Sequence, residues 1–235
     1  MKQLVVLIIT CLSVSSLVAQ SNGTAYGIKG GLSLANQSWN GTERELMFGT
    51  HGALFLESVN DSSNLSLYAA IGYHERGSAI RIRESFNPNT MQTFPARTIR
   101  QPFRNVSLHA GAKSRHWLND KFLGYVLLGL RVEYTLDYTL AFQSDGFDMF
   151  VNDWNYGFSV GAGIEHEFAN FPGAVFIELT FSPDLSRQVF LPGGVVVYSL
   201  PGSTNQFTFP EQKVINRTFE LSVGYKFIRR VEWID

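Results

Sequence analysis

Five histidines, His51, His74, His109, His116 and His166, are the side chains best suited to proton transfer near neutral pH. Beside a serine, such a ring takes the hydroxyl proton while the oxygen attacks an ester carbonyl. That chemistry needs both groups within hydrogen-bond reach, and the sequence scatters these rings singly. His74 borders a long predicted connection, yet no serine is placed opposite it. No cluster of His, Cys, Asp or Glu has recognisable metal-ligand spacing. The one cysteine, Cys11, lies in an apolar N-terminal run, so the remaining chain has no thiol for catalysis, metal binding or disulfides. No catalytic, cofactor-binding or metal residue is therefore assigned, and no cofactor is expected.

Two other groups of residues are better candidates. Eight charges fall on one face of alternating segments: Lys29, Lys113, Arg131 and Lys226 against Glu133, Glu165, Glu178 and Glu220. They serve either as a gated polar path or as ion pairs within a filled core; the second is the ordinary use of buried charge. The connections supply the other group. Residues 74–105 carry Arg76, Arg81, Arg83, Arg97, Arg100 and Arg104 against Glu75 and Glu84. Such a stretch suits anionic lipopolysaccharide, an acidic partner, or simply water. Residues 182–218 are apolar for a connection, with Phe190, Val196, Tyr198, Phe207 and Phe209. They are expected to form a hairpin beyond the main sheet, either offered to a protein or packed over the sheet's end. The contact candidates are Arg81, Arg83, Arg97, Arg100, Phe190, Val196 and Tyr198.

A sheet must position these groups. Among 235 residues there are 21 glycines and 19 phenylalanines, and only 17% are charged, which points to strands with much apolar surface. The formal charge of −1 gives no reason to expect nucleic acid. Residues 1–19 read as a cleaved export signal: Lys2, then an apolar run from Leu4 to Val18 too short to span a membrane, then Ala19. Residues 20–235 follow as one domain. Strict alternation marks eight segments within it: 26–34, 50–57, 65–73, 106–113, 122–140, 156–168, 175–181 and 219–227. The connections 58–64, 118–121 and 169–173 are short, whereas 35–48, 74–105, 141–155 and 182–218 are long. Short turns at one end and long loops at the other are the pattern of membrane barrels with both termini inside.

Alternation alone does not say which face points inward, because a soluble lipocalin-type barrel alternates too. Here the apolar faces carry no Asp, Glu, Lys or Arg. The polar faces mix glycine with charges of both signs, which suits a narrow interior of small residues and ion pairs. Tyr26, Tyr73, Tyr138, Tyr156, Phe168 and Phe227 fall near segment ends on the apolar side, where membrane-interface girdles belong. The expected fold is all-β: a closed antiparallel transmembrane β-barrel of about eight strands with long external loops. Eight strands leave room for side chains and not for an open aqueous channel.

The opening segment Tyr26-Gly-Ile-Lys-Gly-Gly-Leu-Ser-Leu-Ala35 and the closing segment Phe219-Glu-Leu-Ser-Val-Gly-Tyr-Lys-Phe227 resemble the first and last strands of the Bacteroidetes outer-membrane barrel family called PorT-like. The likeness covers the mature chain in architecture and only these strands in wording. It implies a bacterial outer-membrane location and, for some members, a part in type IX protein secretion and gliding. The functional expectation is a non-enzymatic barrel acting through loop contacts, with outer-membrane lipid, lipopolysaccharide or secretion-complex proteins as partners. The alternative from another class is a lipid A hydrolase or acyltransferase, since some small outer-membrane barrels carry a His–Ser pair near the outer rim. A soluble ligand-binding barrel comes third.

Overall fold

The computed structural model describes residues 23–40, 43–59, 63–87, 91–140, 150–168, 173–198 and 206–230; the expected signal, 1–19, lies outside them. Strands β1 (Gly23–Gln37), β2 (Met47–Val59) and β3 (Leu65–Ile82) precede the short β4 (Ser85–Asn87) and β5 (Gln92–Phe94). Then come β6 (Arg97–Trp117), β7 (Phe122–Tyr138), β8 (Trp154–Glu167) and β9 (Gly173–Pro183). Four short strands follow, β10 (Val189–Leu191), β11 (Val195–Tyr198), β12 (Gln206–Phe209) and β13 (Gln212–Val214), before β14 (Asn216–Arg230). Eight strands close an antiparallel barrel in the order β1-β14-β9-β8-β7-β6-β3-β2. Each alternating segment of the sequence maps to one of these eight, although 122–140 and 156–168 run past the ends of β7 and β8 at Tyr138 and Glu167. The first and last strands meet at the seam, Tyr26 opposite Phe227 and Leu34 opposite Phe219.

Side chains alternate across the wall because successive Cβ atoms of a strand point to opposite faces. Leu54, Val126, Leu179 and Leu221 face outward and are at least half exposed, while Glu57, Arg131, Glu178 and Lys226 on the inner face are only 1% exposed. That is the reverse of a lipocalin-type barrel. Rings mark both ends of the apolar band. At the turn end Tyr26 stacks on Phe227 with centroids 5.6 Å apart. At the loop end Tyr134 meets Trp154 at 5.1 Å and Phe181 meets Phe219 at 4.7 Å.

The interior is not filled by small residues and ion pairs alone. Phe55, Tyr68, Leu123, Tyr125, Leu127 and Phe176 form a buried cluster inside the turn end. Inward glycines make the room. A Cβ on Gly224 would stand 2.2 Å from Phe176 Cζ, and one on Gly129 or Gly163 would stand 2.4 Å from the Tyr68 or Tyr125 hydroxyl. Gly224→Ala is expected to destabilise the barrel by about 1–3 kcal/mol through overpacking. Adding Phe176→Leu should recover part of that loss, so the two effects should fall short of additive in urea unfolding. Strict additivity would mean that the ring is not what the added methyl meets.

The loop end departs from the expected pattern twice. First, the pairing of β6 with β7 slips between Arg104 and Asn105, and the irregularity turns the end of β7 over. Asp137, expected inside, is exposed and pairs with Arg104 at 2.5 Å, while Leu140, expected outside, is buried. Tyr138 leaves the outer girdle and stacks on Phe103 at 5.6 Å. Second, 74–105 is largely not a loop. β3 and β6 stay paired out to Ile82 opposite Arg97, and β4 and β5 continue the same register with Ser85 opposite Phe94. The expected hairpin in 182–218 is present as β10 with β13 and β11 with β12.

Candidate functional site

The barrel wall brings the eight charges singled out from the sequence into one lumen, where they fall into two networks. Near the turn end, Lys29 lies 2.5 Å from Glu178 and Lys226 lies 2.6 Å from Glu165. Lys113 lies 3.2 Å from Glu57 and 3.8 Å from Glu178. The rings of Phe55, Tyr68, Tyr125 and Phe176 also surround its ammonium, with centroids 4.6–5.6 Å away. Arg115 and Lys226 reach Glu57 as well, at 3.7 and 3.8 Å, and Ser66 donates to it at 3.0 Å. Glu57 is therefore the hub of this network, one carboxylate among three cations.

The second network lies toward the loops, and its hub is a cation. Arg76 is fully buried and meets Glu133 at 3.3 Å, Asp184 at 3.0 Å and Glu220 at 3.6 Å. Arg131 contacts Glu133 and Asp184. The His74 ring sits between Glu133 at 3.0 Å and Glu220 at 3.1 Å. Sequence reasoning missed Glu57, His74, Arg76, Arg115 and Asp184 as members. The available signal was parity: Arg76 continues the inward positions of β3, Asp184 those of β9, and Arg115 follows Lys113. His74, Arg76, Arg115 and Asp184 lie just past the ends of the alternating segments, whereas Glu57 lies within one.

Among the described residues, packed side chains occupy both ends of the lumen. The ring cluster around Lys113 fills the turn end. At the loop end, Phe103, Leu140, Val189 and Val214 form a second buried cluster, with Trp39, Tyr138, Phe150 and Val151 against it. β10 pairs with β13 there, and Val151 bridges to Val189, which gives a small lid. The apolar connection 182–218 thus packs in part over the barrel mouth. Phe190 is its outward member, with the Arg187 guanidinium 5.2 Å from its ring. The side chains of Val196 and Tyr198 lie outside the described residues.

The histidines find serines, but in places that do not suit acyl transfer at the outer rim. His51 lies 2.9 Å from Ser222 and His109 lies 3.1 Å from Ser107, both pairs inside the lumen. His116 lies 3.0 Å from Ser114 on the outer face near the turn end, where no carboxylate orients its ring among the described residues. His166 meets the Lys121 carbonyl at 2.9 Å at that same end. His74, the base nearest the loops, is buried between carboxylates.

Outside the barrel, the basic contact candidates stand on the paired stem of β3 and β6. Arg81, Arg83, Arg97 and Arg100 are exposed. They do not form an uncompensated basic surface. Arg81 lies 3.6 Å from Glu45, Arg83 lies 3.6 Å from Glu43, and Arg100 lies 3.9 Å from Glu75. Such exposed pairs contribute little to stability and leave the guanidinium groups free to exchange partners. Arg44 is held more firmly, 4.1 Å from the Trp39 ring centroid and donating to Gln101. Burial lowers its pKa to about 10, so it stays charged at neutral pH.

A closed eight-stranded barrel with charges inside, an apolar band outside and rings at both rims is a transmembrane β-barrel of the outer-membrane type. No family model matches the chain, and no curated protein matches it. Solved structures do resemble it. Neisserial surface protein A is 12% identical with a TM-score of 0.45, over 86% of this chain and 97% of that one. The attachment invasion locus protein of Yersinia pestis is 14% identical with a TM-score of 0.42, over 87% and 99%. The outer membrane protease OmpT of Escherichia coli is 11% identical with a TM-score of 0.43, over 89% and 97%. Likeness at this level says nothing about activity.

Proposed function

We propose that this protein is a non-enzymatic barrel of the bacterial outer membrane that acts through contacts made by its external hairpins. One observation carries the reading: packed side chains occupy both ends of the lumen, while the longest strands, β3 and β6, run on past the apolar band. A pore has no use for the first feature, and a bare membrane anchor has no use for the second. Lipopolysaccharide would surround the foot of the stem, where Arg100 and Arg104, partly exposed although paired with Glu75 and Asp137, would offer guanidinium groups to its phosphates. The finer proposal is membership of the PorT-like family, supported by the wording of β1 and β14, which lie side by side at the seam. A place in type IX secretion rests on that likeness alone.

Replacing 78–101 by a tight turn tests the contact reading. The barrel should still assemble, because closure runs through pairs below that level. Partner capture from native outer membranes should be lost. Substituting His51, His74, His109, His116 or His166 singly by Ala should leave that capture in place. If one His substitution abolished the cellular phenotype while the truncation preserved it, the lipid-modifying enzyme would become the better reading.

A further inference from the structure

The stem that β3 and β6 form above the barrel has two edges, and they differ. On the β3 side, Glu45 N–H donates to the Ala79 carbonyl at 2.8 Å and Ala79 N–H donates to the Glu45 carbonyl at 3.0 Å. That edge is occupied, and it fixes which way β6 faces. The N–H and C=O of one strand residue point to the same side, so Ala79 turns both away from β6 and stands opposite Arg100 as a non-hydrogen-bonded pair. Arg100 therefore turns its own N–H and C=O away from β3, and Thr98 and Pro102 do the same at two-residue intervals. Pro102 shows the same phase, because its carbonyl accepts from Thr139 N–H at 3.0 Å on the β7 side.

The pairing from β7 ends at this point. Proline has no N–H to return to Thr139, and Leu140 turns in to pack beneath the lid. Beyond Pro102, Arg100 and Thr98 are exposed and hold two N–H and two C=O groups along one line, with no backbone partner among the described residues. Water meets such groups one at a time, whereas an extended backbone meets all four in register.

The side chains define what that backbone should carry. Arg97 and Ile99 share the other face of β6, and both are at least partly exposed. Arg81, Arg83, Arg100 and Arg104 each have a carboxylate within 4 Å, but Arg97 has none among the described residues. An added antiparallel strand would place an acidic residue opposite Arg97 and an apolar one, two positions away, opposite Ile99. A second copy of this chain fits badly. Two barrels in one membrane, related by a twofold axis along its normal, would set Arg97 beside Arg97 and Arg100 beside Arg100.

We propose that the β6 edge at Thr98 and Arg100 takes up an extended acidic segment of a partner protein as an added strand. This rests on the reading that the external hairpins make the protein's contacts, and it locates the contact on the stem.

Backbone NMR of the whole protein in nanodiscs, titrated with the end-capped heptapeptide Thr-Val-Thr-Val-Thr-Glu-Thr, tests it. The Thr98 and Arg100 amides should shift saturably and become protected from hydrogen exchange. The Ile99 and Gln101 amides, already bonded to β3, should be protected throughout. Lys in place of Glu in the peptide should weaken binding about tenfold, and Arg97→Glu should invert that preference. Thr98→Pro removes an N–H that faces the edge and leaves the β3 ladder whole, so its urea unfolding should match wild type while binding is lost. Thr98→Val keeps the N–H and should bind as wild type does. N-methylation of the peptide's fifth residue, whose N–H would meet the Thr98 carbonyl, should abolish binding without any change to the protein. No saturable shift with wild type, or equal binding by Thr98→Pro and by the N-methylated peptide, would overturn the proposal. Protection of Thr98 and Arg100 that grows with the number of copies per nanodisc and not with peptide would assign the edge to a second copy, and would also overturn it. If the peptide fails while the 78–101 truncation still abolishes partner capture, the contact reading stands and the edge is not its site. If the peptide binds while the cellular phenotype survives the truncation, the contact reading fails and the edge remains a binding site.

Discussion

Arg76→Leu is expected to lower the stability of the barrel by about 3–5 kcal/mol, the usual consequence of taking one partner out of a buried ion network. The residue is fully buried and is shared by Glu133, Asp184 and Glu220. Removing it leaves three carboxylates with Arg131 and His74 in a space that water does not freely enter. Urea titration in detergent, followed by the mobility shift between folded and unfolded barrel, reads the loss. Arg76→Lys should recover only part of it, because an ammonium lacks the planar fork that spans three acceptors. A midpoint within about 0.5 kcal/mol of wild type, the range of ordinary surface substitutions, would mean that the network carries no stability.

Glu57→Leu should be of similar size and opposite in charge. It strips Lys113, Arg115 and Lys226 of their common carboxylate, and two acids, Glu165 and Glu178, then face four cations. A loss of about 3–5 kcal/mol is expected here too. Glu57→Gln should be milder, since it keeps an acceptor for Ser66. The two hubs share no partner, so the effects of Arg76→Leu and Glu57→Leu should add to within about 0.5 kcal/mol. Marked non-additivity would show that the two networks are in fact one.

Neither hub is named among the sequence's interior charges, and the reasons differ. Glu57 has the right phase but shares its face with Phe55 and Ala53, so its neighbours do not mark a charged interior. Arg76 follows His74, where apolar alternation stops. The strand runs on without it because β6 continues to pair, and pairing over such a span is not written in either strand by itself. The barrel was legible because lipid demands one apolar face at every second residue, and that demand leaves a signal in each strand separately. The same logic placed Lys29, Lys113, Arg131 and Lys226 correctly. It failed at Asp137 and Leu140, because one slipped pair at Arg104 reverses parity and no local residue announces it. The inner rings were illegible for a further reason. Gly224 seats Phe176 and Gly129 seats Tyr68, each across strands far apart in sequence. The lid likewise depends on Phe103, Leu140, Val189 and Val214 meeting from four separate stretches.

The central claim is that the lumen is shut and that the protein works from its surface. Ion conduction through the purified full-length barrel in a planar bilayer tests this most directly. The ring cluster around Lys113 and the lid over Phe103 predict a silent membrane at all moderate voltages. Steady unitary currents from the wild-type protein, abolished when it is denatured, would contradict the account and return the lumen charges to the role of a gated path.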